Sequence, residues 1–115
     1  MAPYIDSYEF GRIKIDGRSY SQDLIICPDK VRENWWRKDG HRLHPEDLAS
    51  VMELGPHTII IGSGANGILK VPDKTREWIS EKGSELIVLP TRAACDLYNQ
   101  LSTKAKVIAG LHLTC

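Results

Sequence analysis

The sequence predicts an α/β fold, a single domain over residues 1–115 in which helices flank a mixed β-sheet and an N-terminal β-hairpin precedes them. From residue 45 onward, helical and strand-like segments follow one another in the order α, β, β, α, β, α, β, which is typical of helices packed on a mixed sheet. The last strand-like segment is apolar on both faces, as expected for a strand in the middle of a covered sheet. A chain of 115 residues also has the usual length of one domain.

The N-terminal hairpin is predicted from its turn. Strand-like segments Phe10–Ile15 and Tyr20–Cys27 lie on either side of Asp16-Gly17, a dipeptide that favours a tight turn. Pro28-Asp29-Lys30 predicts a second turn, which leads into a third strand over Val31–Arg37.

Three helices are expected in the rest of the chain. Pro45 suits the first position of a helix that Gly55-Pro56 ends. A second helix is expected to start at Pro72-Asp73 and to close at Gly83. Thr91 is predicted to be the N-cap of the third helix, in which apolar residues recur at helical spacing.

Four more strands are expected between and after these helices, over Thr58–Ile61, Ile68–Val71, Glu85–Leu89 and Lys106–Leu113. If the first and third of these are parallel, both end at the carboxyl edge of the sheet. That edge is where α/β folds bind ligands.

The stretch TIIIGSGANG, Thr58–Gly67, contains the G-x-G-x-x-G spacing of a dinucleotide-binding turn. Such a site needs a helix that starts directly at the glycines and holds the pyrophosphate on its N-terminus. Here a strand is predicted after the glycines, and the next helix starts only near Asp73. We therefore interpret the segment as a turn and expect no cofactor.

The turn can still form one wall of a crevice. Free amides and the positive end of the helix after Thr91 would point into it, and a basic side chain would add charge for a small anionic ligand. The alternative is that Thr91 only caps its helix. The residues expected to line the crevice are Arg37, His41, Gly62, Ser63, Gly64, Pro90 and Thr91.

Trp35 and Trp36 are the residues predicted to bind a protein partner. Successive side chains of a strand face opposite sides, so we expect one indole in the core and the other at a partner surface or crevice wall. Tryptophan and arginine are the residue types that anchor interfaces, and Arg37 follows directly.

Composition excludes several classes of function. Fifteen basic and fifteen acidic residues give a formal net charge of zero, which argues against a nucleic-acid binder. No apolar run is long enough to span a bilayer, so no membrane insertion is expected. Three cysteines without a C-x-x-C spacing favour reduced thiols and a cytoplasmic location.

No catalytic residue and no metal site is predicted. His41-x-x-His44 lacks companion ligands, and residues i and i+3 of a strand, such as His112 and Cys115, face opposite sides. His112 is interpreted as a hydrogen-bonded sheet histidine, and Cys95 as a packed small residue rather than a reactive thiolate.

Seven short motifs occur along the chain: FGRIKIDG, DLIICPD, NWWRKDGHRL, TIIIGSGANG, LPT, YN and HLTC. Taken together, these motifs resemble a small-domain family of uncharacterised function that includes the mitochondrial respiratory complex I assembly factor 3 and the adipogenesis-associated domain protein. The resemblance implies one α/β domain with a mixed sheet between helices, and it supplies no agreed catalytic role. The chain lacks the N-terminal targeting extension of the mitochondrial members, so import is not expected.

The sequence therefore favours a non-enzymatic accessory or assembly-type protein that acts through protein–protein contacts. The alternative is a binder of small molecules or anions, with or without enzymatic activity, that uses the crevice at Gly62–Gly67 and Thr91. A homo-oligomer is open under both hypotheses.

Overall fold

The computed structural model describes residues 2–115 and contains two sheets. A three-stranded antiparallel sheet has the order β1-β2-β3, and a five-stranded mixed sheet has the order β5-β4-β8-β6-β7. The elements are, in chain order, β1 Ile5–Glu9, β2 Arg12–Ile15, β3 Arg18–Tyr20, β4 Leu24–Ile26, β5 Val31–Arg32, a 3-10 turn Pro45–Asp47, α1 Ala49–Met52, β6 Thr58–Ser63, α2 Asp73–Glu81, β7 Glu85–Leu89, α3 Thr91–Leu101 and β8 Val107–His112.

The predicted N-terminal hairpin is confirmed, with one strand more than expected. Asp16 and Gly17 both have positive φ, 48° and 82°, which is the backbone of a tight hairpin turn between β2 and β3. The predicted strand Phe10–Ile15 starts later, at Arg12, because Phe10 and Gly11 form a turn. That turn connects β2 to β1, a strand that sequence patterning missed.

The mixed sheet is built around β8. This strand pairs in parallel with β6 and antiparallel with β4, and β6 pairs in parallel with β7. All residues of β6 and of β8 are buried, which confirms the prediction of a strand covered on both faces.

Three predicted strands are corrected. The segment Tyr20–Cys27 is divided between the two sheets, since β3 ends at Tyr20 and β4 starts at Leu24. The strand predicted over Val31–Arg37 stops at Arg32, because Asn34 has a φ of 56° and turns the chain. Ile68–Val71 is not a strand, and it makes a single β-bridge, from Lys70 to Arg42.

The three helices lie where they were predicted, with two corrections. The first is short, a 3-10 turn followed by the four residues of α1. The N-cap of α3 is Pro90, and Thr91 is the first helical residue. The hydroxyl of Thr91 is used outside the helix, where it donates to the carbonyl of His112 at 2.6 Å.

Helices cover both faces of the mixed sheet. On one face, Ala94 and Tyr98 of α3 pack with Ile60 of β6 in a cluster that also includes the first sheet. On the other face, Val51 of α1 and Ile79 of α2 belong to a second buried cluster. Among residues 2–115, no helix is long and apolar enough to cross a membrane.

Candidate functional site

The glycine loop, Gly62–Gly67, lies against the start of α3, and no helix begins at the glycines, as predicted. The amide of Gly64 donates to Oγ1 of Thr91 at 2.8 Å, and the amide of Thr91 donates to the carbonyl of Gly64 at 3.1 Å. β6, which leads into the glycines, and β7, which is followed by Pro90, are parallel. Gly62, Gly64 and Thr91 are therefore neighbours at one edge of the sheet.

The polar groups of the glycine loop are paired with one another and with the neighbouring chain. The Ser63 hydroxyl donates to the carbonyl of Leu89 at 3.1 Å, and the amide of Ala65 donates to the carbonyl of Thr114 at 2.6 Å. Thr91, Ser63 and Gly64 are buried. The predicted crevice is thus closed by packing, and a ligand role for these residues stays a prediction.

An open cleft lies on the side of His112 that faces away from the glycine loop. It has a volume of about 700 Å³. We name it the aromatic cleft, and its main lining residues are Asp23, Asn34, Trp35, Trp36, Arg37 and His112.

Arg37 is the basic side chain of the aromatic cleft. Its Nη2 lies 2.9 Å from Oδ2 of Asp23, and its guanidinium carbon lies 4.8 Å from the centre of the Trp35 ring. The side chain is only 6% exposed. Nε and Nη1 are buried and have no hydrogen-bond partner among residues 2–115. Buried donors without a partner are rare in folded proteins.

Asp23 and His112 form a hydrogen-bonded pair beside Arg37. Nδ1 of His112 lies 2.7 Å from Oδ2 of Asp23, and the amide of Leu113 donates to Oδ1 at 2.8 Å. Burial alone would raise the pKa of the Asp23 carboxyl, but the hydrogen bonds from His112, Leu113 and Arg37 outweigh it and hold this pKa below its ordinary value.

The tautomer of His112 follows from this geometry. An ionised Asp23 carboxylate only accepts hydrogen bonds, so Nδ1 of His112 carries the hydrogen. The 3.3 Å approach of the Arg37 Nη2 to Nδ1 reflects two donors that converge on one carboxylate oxygen. Nε2 makes no hydrogen bond within the part of the chain that the structure describes.

The two neighbouring tryptophans have different surroundings. Trp35 is half-buried, its Nε1 donates to the carbonyl of Asp47 at 3.0 Å, and its ring edge lies against Gly110 of β8. A Cβ on Gly110 would lie 2.8 Å from Cη2 of Trp35, so this contact requires glycine. Trp36 is 87% exposed at the lip of the cleft.

Of the two basic residues predicted near the crevice, Arg37 lines the cleft and His41 does not. His41 is exposed, and its backbone carbonyl accepts a hydrogen bond from Lys70. Sequence analysis did not single out Asp23 and did not give His112 a role in a site. The available signal was a carboxylate directly before the apolar run of β4. Antiparallel pairing of Leu24 with Leu111 brings Asp23 beside His112.

The three cysteines are free, and two of them are buried. Cys95 lies on the buried side of α3, where burial raises the pKa of its thiol to about 12. Burial also raises the pKa of Cys27. Cys115 is exposed. Within residues 2–115, no group of three or more His, Cys, Asp or Glu side chains could hold a metal ion.

Comparison with known proteins extends over nearly the whole chain. The conserved hypothetical protein PH1505 from Pyrococcus horikoshii OT3 is 26% identical, with 96% of this chain and 98% of that chain covered and a TM-score of 0.83. The protein MT938 is 30% identical over 99% of this chain and 100% of its own, with a TM-score of 0.81. An outer membrane protein from Bartonella henselae is 24% identical over 99% and 97% of the two chains, with a TM-score of 0.84, and at this identity the likeness shows the fold alone.

A family model matches residues 5–112, a span that includes the glycine loop and all of the main lining residues of the aromatic cleft. The chain therefore belongs to the family described as protein of unknown function (DUF498/DUF598).

Proposed function

We propose that the protein binds a small organic anion, a carboxylate or a phosphate, in the aromatic cleft. The observation that carries this proposal is the buried guanidinium of Arg37, in which Nε and Nη1 have no partner within residues 2–115. The proposed site lies beside the predicted crevice at the glycine loop and shares Arg37 with it.

The chemistry of Arg37 selects the ligand. A guanidinium has donors and no acceptor, so its unpaired groups require a ligand rich in acceptor oxygens. An unpaired buried donor destabilises a protein by roughly 1–3 kcal/mol, and hydrogen bonds to a charged partner are among the strongest that side chains make. Nε and Nη1 are buried, so an anion that enters the cleft would reach them by displacing the side chains that cover them, while Nη2 stays on Asp23.

The size and walls of the cleft suit a small molecule. A volume of about 700 Å³ lies inside the usual range of ligand sites. Trp35 holds the guanidinium from one side by a cation–π contact, and Trp36 offers an exposed ring at the lip for a flat or apolar part of the ligand. The cleft thus combines an apolar wall with a few directed donors.

Titration of small anions against Arg37→Lys tests this function. Sulfate, phosphate, succinate, pyruvate, ATP and NADH would be added to ¹⁵N-labelled protein, and the Arg37 Nε–H and the two cleft indole N–H signals would be followed by NMR. A lysine keeps the charge near Asp23 but loses the additional donors. We expect its affinity for the best anion to fall roughly 10- to 100-fold.

Arg18→Lys is the matched control. Arg18 also pairs with a carboxylate, Glu33 at 3.3 Å, and lies 5.3 Å from the centre of the Tyr20 ring, but its side chain is 68% exposed. We expect this variant to bind as the parent does. If no anion shifts the signals of Arg37, Trp35 or Trp36, the proposed function is wrong.

A second candidate function is the accessory or assembly role, in which Trp36 anchors a protein partner. Its support is the 87% exposure of this indole and the resemblance of the motifs to a complex I assembly factor. Affinity capture from the native cell would compare Trp36→Ala with Phe10→Ala, a change at an exposed aromatic that does not line the cleft. Loss of a partner with the first variant and not with the second would support this role. An unchanged partner set would contradict it.

We also propose a cytoplasmic location, supported by three free cysteines, two of which are buried where no bridge forms. Cell fractionation followed by immunoblotting tests it. Recovery in a membrane or periplasmic fraction would contradict it.

A further inference from the structure

We propose that His112, positioned by Asp23, is a general acid–base that removes and returns a proton on a 2-oxo carboxylate held at Arg37. This inference rests on the proposed function, since Arg37 must hold the carboxylate. It adds a reaction and a substrate class to what would otherwise be a binding site.

The two nitrogens of His112 have separate tasks in this arrangement. Nδ1 donates to Asp23 at 2.7 Å, so the hydrogen is held on that nitrogen. Nε2 then presents a lone pair, and it has no hydrogen-bond partner within residues 2–115. A carboxylate on one imidazole nitrogen fixes the tautomer and stabilises the imidazolium that forms when the other nitrogen takes a proton.

The imidazole is held rigidly from several sides. Its backbone carbonyl accepts the Thr91 hydroxyl at 2.6 Å, and its residue pairs with Ser63 in the register of β6 and β8. Gly64 lies against the ring edge, because a Cβ there would be 2.9 Å from Cδ2. Asp23 is fixed in turn by the Leu113 amide at 2.8 Å. Rigid support of this kind is what a proton-transfer group needs.

A purely structural role explains the contacts of Asp23, but it does not explain why His112 and Arg37 lie beside it. Asp23 joins the start of β4 to the end of β8 through the Leu113 amide, and that task does not need an imidazole. His112 and Arg37 both line the same cleft. Nε2 of His112 has no hydrogen-bond partner within residues 2–115, and Nε and Nη1 of Arg37 are unpaired and buried. A base next to an anion anchor is a catalytic arrangement.

The basicity of imidazole limits the substrate class. It can remove a proton from carbon only where a neighbouring carbonyl takes up the electron pair, and a carboxylate is needed for the contact with Arg37. A 2-oxo carboxylate with a hydrogen on C3 meets both conditions. Nε2 takes the C3 proton, and the C–H electron pair forms the enolate, with the negative charge on the carbonyl oxygen. The imidazolium then returns a proton to C3, so no oxidant or co-reactant is consumed.

The test is deuterium exchange at C3 of pyruvate and 2-oxobutyrate in D₂O, followed by ¹H NMR. The parent protein should exchange these protons faster than the same buffer does. His112→Asn keeps an N–H donor toward Asp23 but has no group in the place of Nε2. We expect the protein-dependent rate of deuterium exchange to be about 10²- to 10⁴-fold lower in this variant, with binding of pyruvate retained.

Asp23 acts as a positioning residue, and Asp23→Asn tests that part. An amide at position 23 can donate to Nδ1 and so favour the opposite tautomer. The ¹⁵N imidazole spectrum of this variant should then show the hydrogen on Nε2, and the exchange rate should fall with it. A variant that keeps the parent tautomer and rate overturns the assignment of Asp23.

The outcomes separate the two proposals. If pyruvate shifts the Arg37 and indole signals but its C3 protons exchange no faster than in buffer, the acid–base inference is overturned and the binding function stands. An exchange rate that is the same in His112→Asn also overturns it. If neither 2-oxo acid nor any other small anion binds, the binding function fails and this inference fails with it.

Discussion

The glycine loop and the aromatic cleft lie on either side of His112, and they differ in how their polar groups are used. In the glycine loop, the amide of Gly64 and the hydroxyl of Ser63 are bonded to neighbouring protein atoms, and so is the hydroxyl of Thr91 in the adjoining helix α3. In the cleft, two donors of Arg37 have no partner within residues 2–115.

The glycine loop and the cleft therefore differ in whether their buried donors are paired. The glycines attract attention because their spacing resembles a phosphate-binding turn, yet they serve close packing between β6, α3 and the C-terminal residues. The residues that line the cleft come from three segments far apart in the sequence, and the binding that we propose for it rests on the unpaired donors of Arg37, within the irregular segment Asn34–Gly40. Unpaired buried groups are rare in folded proteins, and this is why we place the proposed anion site in the cleft.

Gly64→Ala tests whether the glycine loop is closed by packing. We expect it to lower the free energy of unfolding more than any other change considered below. Gly64 has a φ of +100°, and a Cβ there would overlap the carbonyl of Cys115 and lie 2.9 Å from Cδ2 of His112. Backbone strain and overpacking together should lower the free energy of unfolding by roughly 2–5 kcal/mol. Urea denaturation measures it.

Gly83→Ala is the matched control for that prediction. Gly83 also has a positive φ, +86°, but a Cβ there would meet no atom within 4 Å. We expect only the backbone cost, roughly 1–2 kcal/mol. Equal losses in the two variants would mean that the glycine loop is not tightly packed.

The second prediction distinguishes the wall of the cleft from its lip. Trp35→Ala removes the packing on Gly110, the hydrogen bond to Asp47 and the contact with Arg37, so it should lower the free energy of unfolding by about 2–4 kcal/mol. Trp36→Ala should change it by less than about 0.5 kcal/mol, because the side chain is exposed. Thermal unfolding of both variants checks this, and a large loss with Trp36→Ala would contradict it.

A third prediction concerns the charges of the cleft and their pH dependence. The folded pKa of Asp23 lies below its ordinary value of 3.8, so this carboxylate stabilises the folded state above that pH. The unfolded chain takes up the proton first as the pH falls, and the stabilisation is lost as the pH falls further through the folded pKa. The stability difference between the parent and Asp23→Asn should therefore shrink below about pH 4.

Urea unfolding at pH 7, 4 and 3 measures this difference. Asp29→Asn, at an exposed turn, serves as the control carboxylate and should show little difference at any of the three values. A parent-to-Asp23→Asn difference that stays constant with pH would contradict the prediction.

The smallest expected effect is a difference in reactivity among the three cysteine thiols. In the folded protein, Ellman's reagent at pH 8 should modify Cys115 and leave Cys27 and Cys95 unmodified, since both are buried and their pKa values are raised. All three thiols should react in denaturant. Rapid reaction of a second thiol in the folded state would show that one of the two buried sites opens.

The alkaline side gives a further check on Cys95. Its folded pKa of about 12 lies above the ordinary value of 9.0, so the neutral thiol favours the folded state below pH 9. That contribution is lost as the pH rises from 9 towards 12, because the unfolded chain releases the proton first. Cys95→Ala should flatten this part of the stability profile.

Local patterns predicted the regular elements well where one signal dominated. The turn at Asp16 and Gly17, the helix α2 between Pro72 and Gly83, and the buried strand β8 are each fixed by residues close in sequence. The prediction of a strand over Ile68–Val71 was wrong, because an apolar run alone does not distinguish a strand from a covered loop. The conformation of this segment depends on the residues that pack against it in the folded protein.

The sequence by itself determined the α/β class, the order of the helices and the turn at the glycines, because periodicity, proline and glycine act over a few residues. Only the tertiary structure decided which polar groups remain unpaired. Thr91 was expected to cap a helix and instead joins the glycine loop to β8, which closes that side. The antiparallel pairing of β4 with β8 joins Asp23 to a histidine 89 positions away, and Arg37 folds back onto both. Contacts across such a separation depend on strand pairing, which short-range patterns do not encode.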